Sequence, residues 1–210
     1  MPSYNGPMDA SLRADLESGL DALGIDRVHA AALSDYLSLL DRWNRTYNLT
    51  AIRDPLEMVS HHLMDSLAVV PHLPMAGEDP RLADIGSGGG LPGIALAIAR
   101  PHWQVTVNDS NTKKTAFLRQ AAIELQLENV SVQQGRVEAW RPAVPFAVVI
   151  SRAFAELADF LARCRHLVAP GGVLAAMKAA PGDAPGCRAV KLRVPLLQAE
   201  RHLVLCTAGD

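Results

Sequence analysis

A chain of 210 residues, 49% hydrophobic and with a formal net charge of −2, has room for one good core and a small N-terminal extension. No apolar run approaches the ~20 residues of a membrane span, and Met-Pro-Ser-Tyr-Asn-Gly-Pro-Met-Asp lacks the basic and apolar regions of a signal peptide, so a frayed start is expected. Cys164, Cys187 and Cys206 are widely spaced with no Cys-x-x-Cys pair, which points to a reducing cytoplasm and to neither a disulfide nor a zinc framework.

In chain order, Leu12, Leu16, Leu20 and Leu23 fall at helical spacing from Asp9 to about Leu23, and Gly24 closes that helix. Val28, Ala32, Tyr36, Leu40 and Trp43 repeat the pattern. The stretch Trp43 to Thr50 is too polar for core and too aromatic for an ordinary linker. Asp54-Pro55-Leu56-Glu57 reads as N-cap, Pro at the first helical position and a glutamate at the third. Leu56, Val59, Leu63, Leu67 and Val70 form the stripe of that helix, which Pro71 and Pro74 end. Residues 1–75 are therefore expected to be a helical extension packed on residues 76–210. Cover for the core is its default use, and a cap on the substrate side is the alternative.

From Arg81 onward helix and strand signals alternate. Strands are expected at Arg81–Ile85, Trp103–Asn108, Val130–Gln133, Phe146–Ile150 and Val173–Lys178. Helices are expected at Gly93–Arg100, Thr112–Leu127 and Ala155–Val168, with Pro170-Gly171-Gly172 as a turn. This is an α/β doubly wound sheet. Ala189–Val194 and His202–Thr207 leave no room for a helix between them, so the last strand is expected to be antiparallel. Gly182 to Gly186 is a loop.

The chemistry concentrates where strand one meets its helix. Gly86, Gly88, Gly89 and Gly90 support no regular element, and Pro92 suits the first turn of a helix. A bare backbone at such a turn lets a nucleotide approach. Gly88, Gly90 and Gly93 fit a dinucleotide fingerprint; Asp84, Gly86, Gly88 and Gly90 fit the Asp-x-Gly-x-Gly-x-Gly loop of S-adenosylmethionine (SAM) enzymes. The dinucleotide reading leaves Gly86 and Ser87 unexplained, and Asp84 suits a methionine ammonium better than a diphosphate. Asp109, followed by Ser110, lies about 20 residues on, the offset of a ribose-binding carboxylate; otherwise it N-caps the helix from Thr112.

Ligands in such sheets sit outside the carboxyl ends of the strands, at the switch between strands one and four. Val137 and Glu138 follow strand three, where an adenine would lie. Arg152 follows strand four and either serves the site or bridges two loops. His61, His62 and Asp65 have helical spacing but no convincing third ligand, so no metal is expected and a satisfied interface pair is the reading. Lys113, Lys114 and Arg119 are by default a solvated helix face. Strand four lacks a Pro-Pro-aromatic motif, the sign of exocyclic amine methylation, and none of the cysteines falls where a nucleophile would be needed. What remains is an acceptor with a free lone pair.

Together these residues resemble the small-subunit ribosomal RNA guanine-N7 methyltransferase family, also called glucose-inhibited division protein B. The matches are Trp43-Asn44, Tyr47 to Thr50, His62, Asp65-Ser66, Asp84 to Gly88, Gly90 to Ile94, Asp109-Ser110, Phe117 to Arg119, Arg136 to Glu138, Ile150 to Ala153, Met177-Lys178 and Glu200 to Val204. Gly89, Ala147 and Ala179 depart from the family's usual residues. The resemblance implies a cytoplasmic, Rossmann-like (class I) SAM-dependent methyltransferase with a seven-stranded sheet. It places the cofactor at Gly86, Leu91, Val137, Glu138 and Arg152, and the target guanine in 16S rRNA. The cofactor site as a whole is expected to gather Asp84, Gly86, Gly88, Gly90, Leu91, Asp109, Ser110, Val137, Glu138 and Arg152, with Arg152 positioning and no general base. RNA contacts are expected at Asn48, Lys113, Lys114, Arg119 and Lys178, on a monomer that meets 16S rRNA or the 30S subunit and no membrane. The rivals are a methyltransferase of this fold acting on a small molecule or protein, and a catalytically idle SAM-binding assembly module.

Overall fold

The structure, a computed structural model, describes residues 10–75, 77, 80–154, 156–181 and 185–207. The expected frayed start and the tip of the 182–186 loop lie outside them. Helix α1 (Ala10–Ala22) and helix α2 (Ala30–Tyr47) come first. A short α3 (Pro55–Met58), a π-helical stretch (Val59–Met64) and α4 (Asp65–Leu67) then run as one rod. Seven strands follow: β1 (Arg81–Ile85), β2 (Gln104–Asp109), β3 (Val130–Gln134), β4 (Phe146–Ser151), β5 (Val168–Lys178), β6 (Cys187–Leu192) and β7 (Arg201–Thr207). They are interleaved with α5 (Gly93–Ala99), α6 (Thr112–Glu124) and α7 (Leu157–Cys164).

The sheet order is β3-β2-β1-β4-β5-β7-β6. β1 to β5 pair in parallel, and β7 is antiparallel to both β5 and β6, as the missing helix between the last two strands predicted. The strand period of two divides the apolar side chains between two cores. Leu82, Val148, Ile150 and Ala175 face one core, and Ala83, Val149, Leu174 and Val204 face the other. The first core also holds Leu16, Leu20, Tyr36, Leu40, Leu63 and Leu67, so the N-terminal helices cover the same sheet face as α5 and α6. α7 covers the other.

Several expectations needed correction. Val28 is 72% exposed because it sits in a 3₁₀ turn before α2, and the buried stripe is Leu33, Tyr36, Leu37, Leu40 and Asn44. Leu56 is 44% exposed; the π stretch holds an extra residue per turn, so the buried set becomes Met58, Val59, Leu63, Met64 and Leu67. Trp43 to Tyr47, too polar for core by its sequence, is the end of α2. β5 runs through Pro170-Gly171-Gly172, which read as a turn, with a register shift opposite Phe146 and Val148. Cys187 and Cys206 form a disulfide across directly paired positions of β6 and β7, contrary to the expectation of unpaired thiols. Only Cys164 is a free, buried cysteine, and burial pushes its thiol up to about 12. Among the described residues no helix is long and apolar enough to cross a membrane.

Candidate active site

β1 delivers the chain into the glycine loop at the switch point of the sheet. Gly86, Gly88 and Gly90 all have positive φ, and at Gly90 a Cβ would lie 2.6 Å from Ile94 Cγ1, so the turn tolerates no side chain there. Asp84 holds this loop from beneath. Its fully buried Oδ2 accepts from Ser87 Oγ and, at 2.9 Å, from the Gly93 N–H. Burial raises its pKa to about 6 against the pull of those two bonds. Asp84 thus braces the loop through Oδ2, and its Oδ1 has no hydrogen-bond partner among the described residues. The Ser87 N–H reaches Asn108 O at 2.9 Å and ties the loop to β2.

Asp109, at the end of β2, accepts from the Gly88 N–H at 3.0 Å and from the Asn111 N–H at 2.8 Å. The helix cap is Asn111, whose Oδ1 takes the Lys113 and Lys114 N–H groups, so Asp109 is free of that duty. Ser110 beside it is exposed, Leu91 is buried on the loop, and Val137 is buried after β3. Glu138 is exposed; its own backbone N–H and an ion pair with Arg163 at 2.6 Å hold its carboxyl low. A Cβ on Gly88 would meet nothing closer than Gly86 O at 3.9 Å. This open, backbone-walled face next to a carboxylate at a strand's carboxyl end fits a nucleoside with a ribose, and so fits SAM.

β4 closes the cradle. Ser151 Oγ donates to Ile85 O at 2.6 Å and accepts the Ala153 N–H at 3.1 Å. Arg152 donates to His61 O at 3.3 Å and sits 3.5 Å from Asp65 Oδ2. Arg201, from the start of β7, reaches the other oxygen of Asp65 at 3.3 Å. Burial still pushes the Asp65 carboxyl up, with both arginines opposing. The expected His–Asp interface pair is therefore corrected: Asp65 pairs with two arginines, His62 Nε2 bonds Thr50 Oγ1 at 2.8 Å, and the His61 ring turns to Ser60 and Glu57. Thr50, His61, His62, Asp65, Arg152 and Arg201 line a cavity of about 390 Å³ that also includes Lys178, whose Nζ donates to Phe154 O.

The residues expected to meet RNA do not form one cluster. Lys178 lines the cavity, whereas exposed Lys113, half-buried Lys114 and exposed Arg119 lie on α6, Arg119 reaching Gln134 at 3.3 Å. Asn48 is the left-handed C-cap of α2, its Oδ1 held by Arg53 at 2.7 Å. Trp43 stacks with Tyr47 and edges onto Phe117, and buried Asn44 accepts the Thr50 N–H at 2.9 Å, so this stretch is built into the fold. Two residues join these groups from far along the sequence. Tyr36 donates to Gly89 O at 2.5 Å across 53 residues of sequence, and Arg201 joins Asp65 from the far end of the chain. At Gly89 a Cβ would meet the flexible tip of Leu40 at 3.0 Å and Leu49 Cβ at 3.9 Å, so that departure from the family pattern costs the loop little.

A family model described as rRNA small subunit methyltransferase G matches residues 29–186. Ribosomal RNA small subunit methyltransferase G of Burkholderia thailandensis is 51% identical over 209 residues, covering 92% of this chain and 90% of that protein. The protein of the same name from Burkholderia pseudomallei is equally similar, at 51% identity and the same coverage. Among solved structures, cofactor-bound Rv0187 from MTB superposes with a TM-score of 0.61 at 18% identity, covering 98% of this chain and all 100% of its own. An O-methyltransferase from Bacillus cereus in complex with SAH gives 0.57 at 15% identity, over 82% of this chain and 90% of that one. At those identities the solved structures establish the fold.

Proposed function

The chain belongs to the rRNA small subunit methyltransferase G family and is a SAM-dependent methyltransferase, and we propose that its acceptor is N7 of a guanine in 16S rRNA. The observation that carries the choice of atom is the end of β4. Exocyclic amines need groups that grip and deprotonate them, and here Ser151 is spent on Ile85 and Ala153 while Arg152 is a cation beside Asp65 and His61 O. Neither is a base. Guanine N7 carries an available lone pair and needs none.

Bound SAM supplies an electrophilic methyl carbon on a sulfonium. With SAM bound, the N7 lone pair would form the new N–C bond as the C–S bond breaks, and the positive charge would move to the purine, so no proton would have to leave. Catalysis then rests on holding N7 in line at near-attack distance. Gly86, Leu91, Asp109 and Val137 would hold the cofactor, with Asp109 on the ribose and Val137 against the adenine face. Arg152 acts by position. A bidentate Arg grip on O6 and N7 would cover the reacting atom, so its guanidinium serves the cofactor carboxylate, a phosphate or O6 alone. The enzyme works as a monomer in the cytoplasm, on 16S rRNA or the 30S particle.

The test is nucleoside mass spectrometry of 16S rRNA from cells lacking the protein, joined to transfer of tritiated methyl groups to 30S subunits and free rRNA. The reading requires loss of 7-methylguanosine in the former and incorporation in the latter. Unchanged 7-methylguanosine sinks it. The pH–rate profile should show no limb between pH 6 and about 9 that vanishes with one carboxylate or His, since no side chain must titrate.

A further inference from the structure

A second hollow lies at the other end of the sheet. Val173 and Thr207, which line it, pair with each other, and Lys178 pairs with His202 beside the cavity of Arg152. Five residue steps of β5 separate the two pairs, about 17 Å of strand. The hollow is a cleft of about 560 Å³, within the roughly 300–1,000 Å³ of small-molecule sites. Cys187 lines it with its half of the Cys187–Cys206 disulfide. Arg188 is the lining side chain with a fixed charge, and no carboxylate stands among the described lining residues. His72, also in the wall, is held below its ordinary pKa by burial and then by the Arg188 charge, so its ring stays neutral and Arg188 sets the sign. The two sulfurs differ in access. Cys187 is half-buried at the cleft, whereas Cys206 is 5% exposed and belongs with Val204 to the core that α7 covers.

We infer that this cleft is a thiol-exchange site: it seats a low-molecular-weight thiol bearing carboxylates, which forms a mixed disulfide with Cys187. A thiolate needs access to the sulfur it attacks, and of the two it is Cys187 that offers access. The new S–S bond forms as the Cys187–Cys206 bond breaks, and the electron pair leaves on Cys206. The proton that the incoming thiol gave up on ionising returns to that sulfur, which apolar surroundings favour as the neutral thiol. One thiol is consumed, and no outside oxidant or reductant enters. Arg188 supplies the choice of thiol. A fixed cation on a low-dielectric wall gathers anions from solution, so carboxylates on the incoming molecule find a partner there and an ammonium does not. The consequence is mechanical. Exchange cuts the covalent tie of β6, the edge strand, and leaves its hydrogen-bonded ladder to β7 in place. It is independent of which acceptor the enzyme methylates.

Glutathione, a thiol with a net negative charge, and cysteamine, a thiol with an ammonium and no carboxylate, are the probes. Air-oxidised protein is mixed with each at low ionic strength, quenched with acid, unfolded, alkylated and mapped by mass spectrometry. Each rate is divided by the same thiol's rate on uncharged hydroxyethyl disulfide, which removes its intrinsic reactivity. Glutathione should lead by about 10-fold, and the lead should shrink as salt is added. The mixed disulfide should sit on Cys187, with Cys206 alkylated. Arg188→Glu, at an exposed position, should keep the wild-type SAM dissociation constant and reverse the order of the two thiols. Attachment to Cys206 overturns the assignment. So does a preference that Arg188→Glu leaves unchanged, and so does air-oxidised protein in which Cys164, Cys187 and Cys206 all alkylate after unfolding without a reductant.

Discussion

Burial acts on Asp84 and His62 in opposite senses within the same pH range. It raises Asp84 from 3.8 to about 6 and lowers His62 from 6.5 to about 4. Between those values the folded state holds more protons on Asp84 than the unfolded chain does, so that contribution to stability falls as pH rises. For His62 the unfolded chain binds more, so stability falls as pH drops. Each is at most about 3 kcal/mol, and the two slopes oppose. Asp84→Asn should expose a loss of stability on acidification from pH 6.5 to 4, and His62→Gln the reverse, read from urea unfolding across that range. Parallel pH curves for both variants and the wild type would refute the pairing. At this scale the sequence placed Asp109 at the end of a strand, at a fixed offset from the glycines, and β2 ends there. It could not show that Asp109 also anchors Gly88. Asp109→Ala should therefore weaken SAM by the loss of charge-assisted bonds, about 1.5–3 kcal/mol, or roughly 10- to 150-fold by titration calorimetry.

Among the elements, α2 does more than cover the sheet. Its Tyr36 hydroxyl satisfies the buried carbonyl of Gly89 in the glycine loop. Tyr36→Phe leaves that carbonyl without its donor, a cost of about 1–3 kcal/mol; SAM affinity should drop while far-ultraviolet dichroism keeps the helix. Unchanged affinity would mean the loop holds its shape alone. α6 offers a separate test. Its first turn carries Lys113 and Lys114 away from the cavity, so replacing both with Ala should weaken RNA binding and flatten its salt dependence without touching SAM. An unaltered salt slope would make that face merely solvated. The helical periods were legible because one face of each helix meets a core, and the antiparallel last strand because no helix fits between β6 and β7. The π stretch was not: its phase shift at Val59–Met64 moves exposure to Leu56, and no residue type announces it. Nor was the extension of β5 through Gly172, where a Cβ would lie 2.8 Å from Ala147 O and the glycine serves close strand contact as well as it would a turn.

The whole molecule is tied at an edge the cysteine spacing did not reveal. β6 is the last strand of the sheet and pairs only with β7. β7 in turn carries Arg201 to the cavity at one end and Cys206 near the other, with Leu203 and Leu205 in one core and Val204 in the second. A hairpin fold brings Cys187 beside Cys206 although 19 positions separate them in sequence, which is why spacing alone suggested independent thiols. A crosslink closing a loop of that length restricts the unfolded chain by about 3 kcal/mol at most. Because β7 is shared by both cores, releasing β6 should lower the stability of the whole unit and leave the glycine loop and Asp109, on β1 and β2, intact. Dithiothreitol should therefore shift the urea midpoint of the wild-type protein downward without changing its SAM dissociation constant. Cys187→Ser should start at the lower midpoint and ignore the reductant. If wild type and variant unfold at one midpoint under both conditions, the two sulfurs are unbonded in solution and the edge of the sheet is held by its ladder alone.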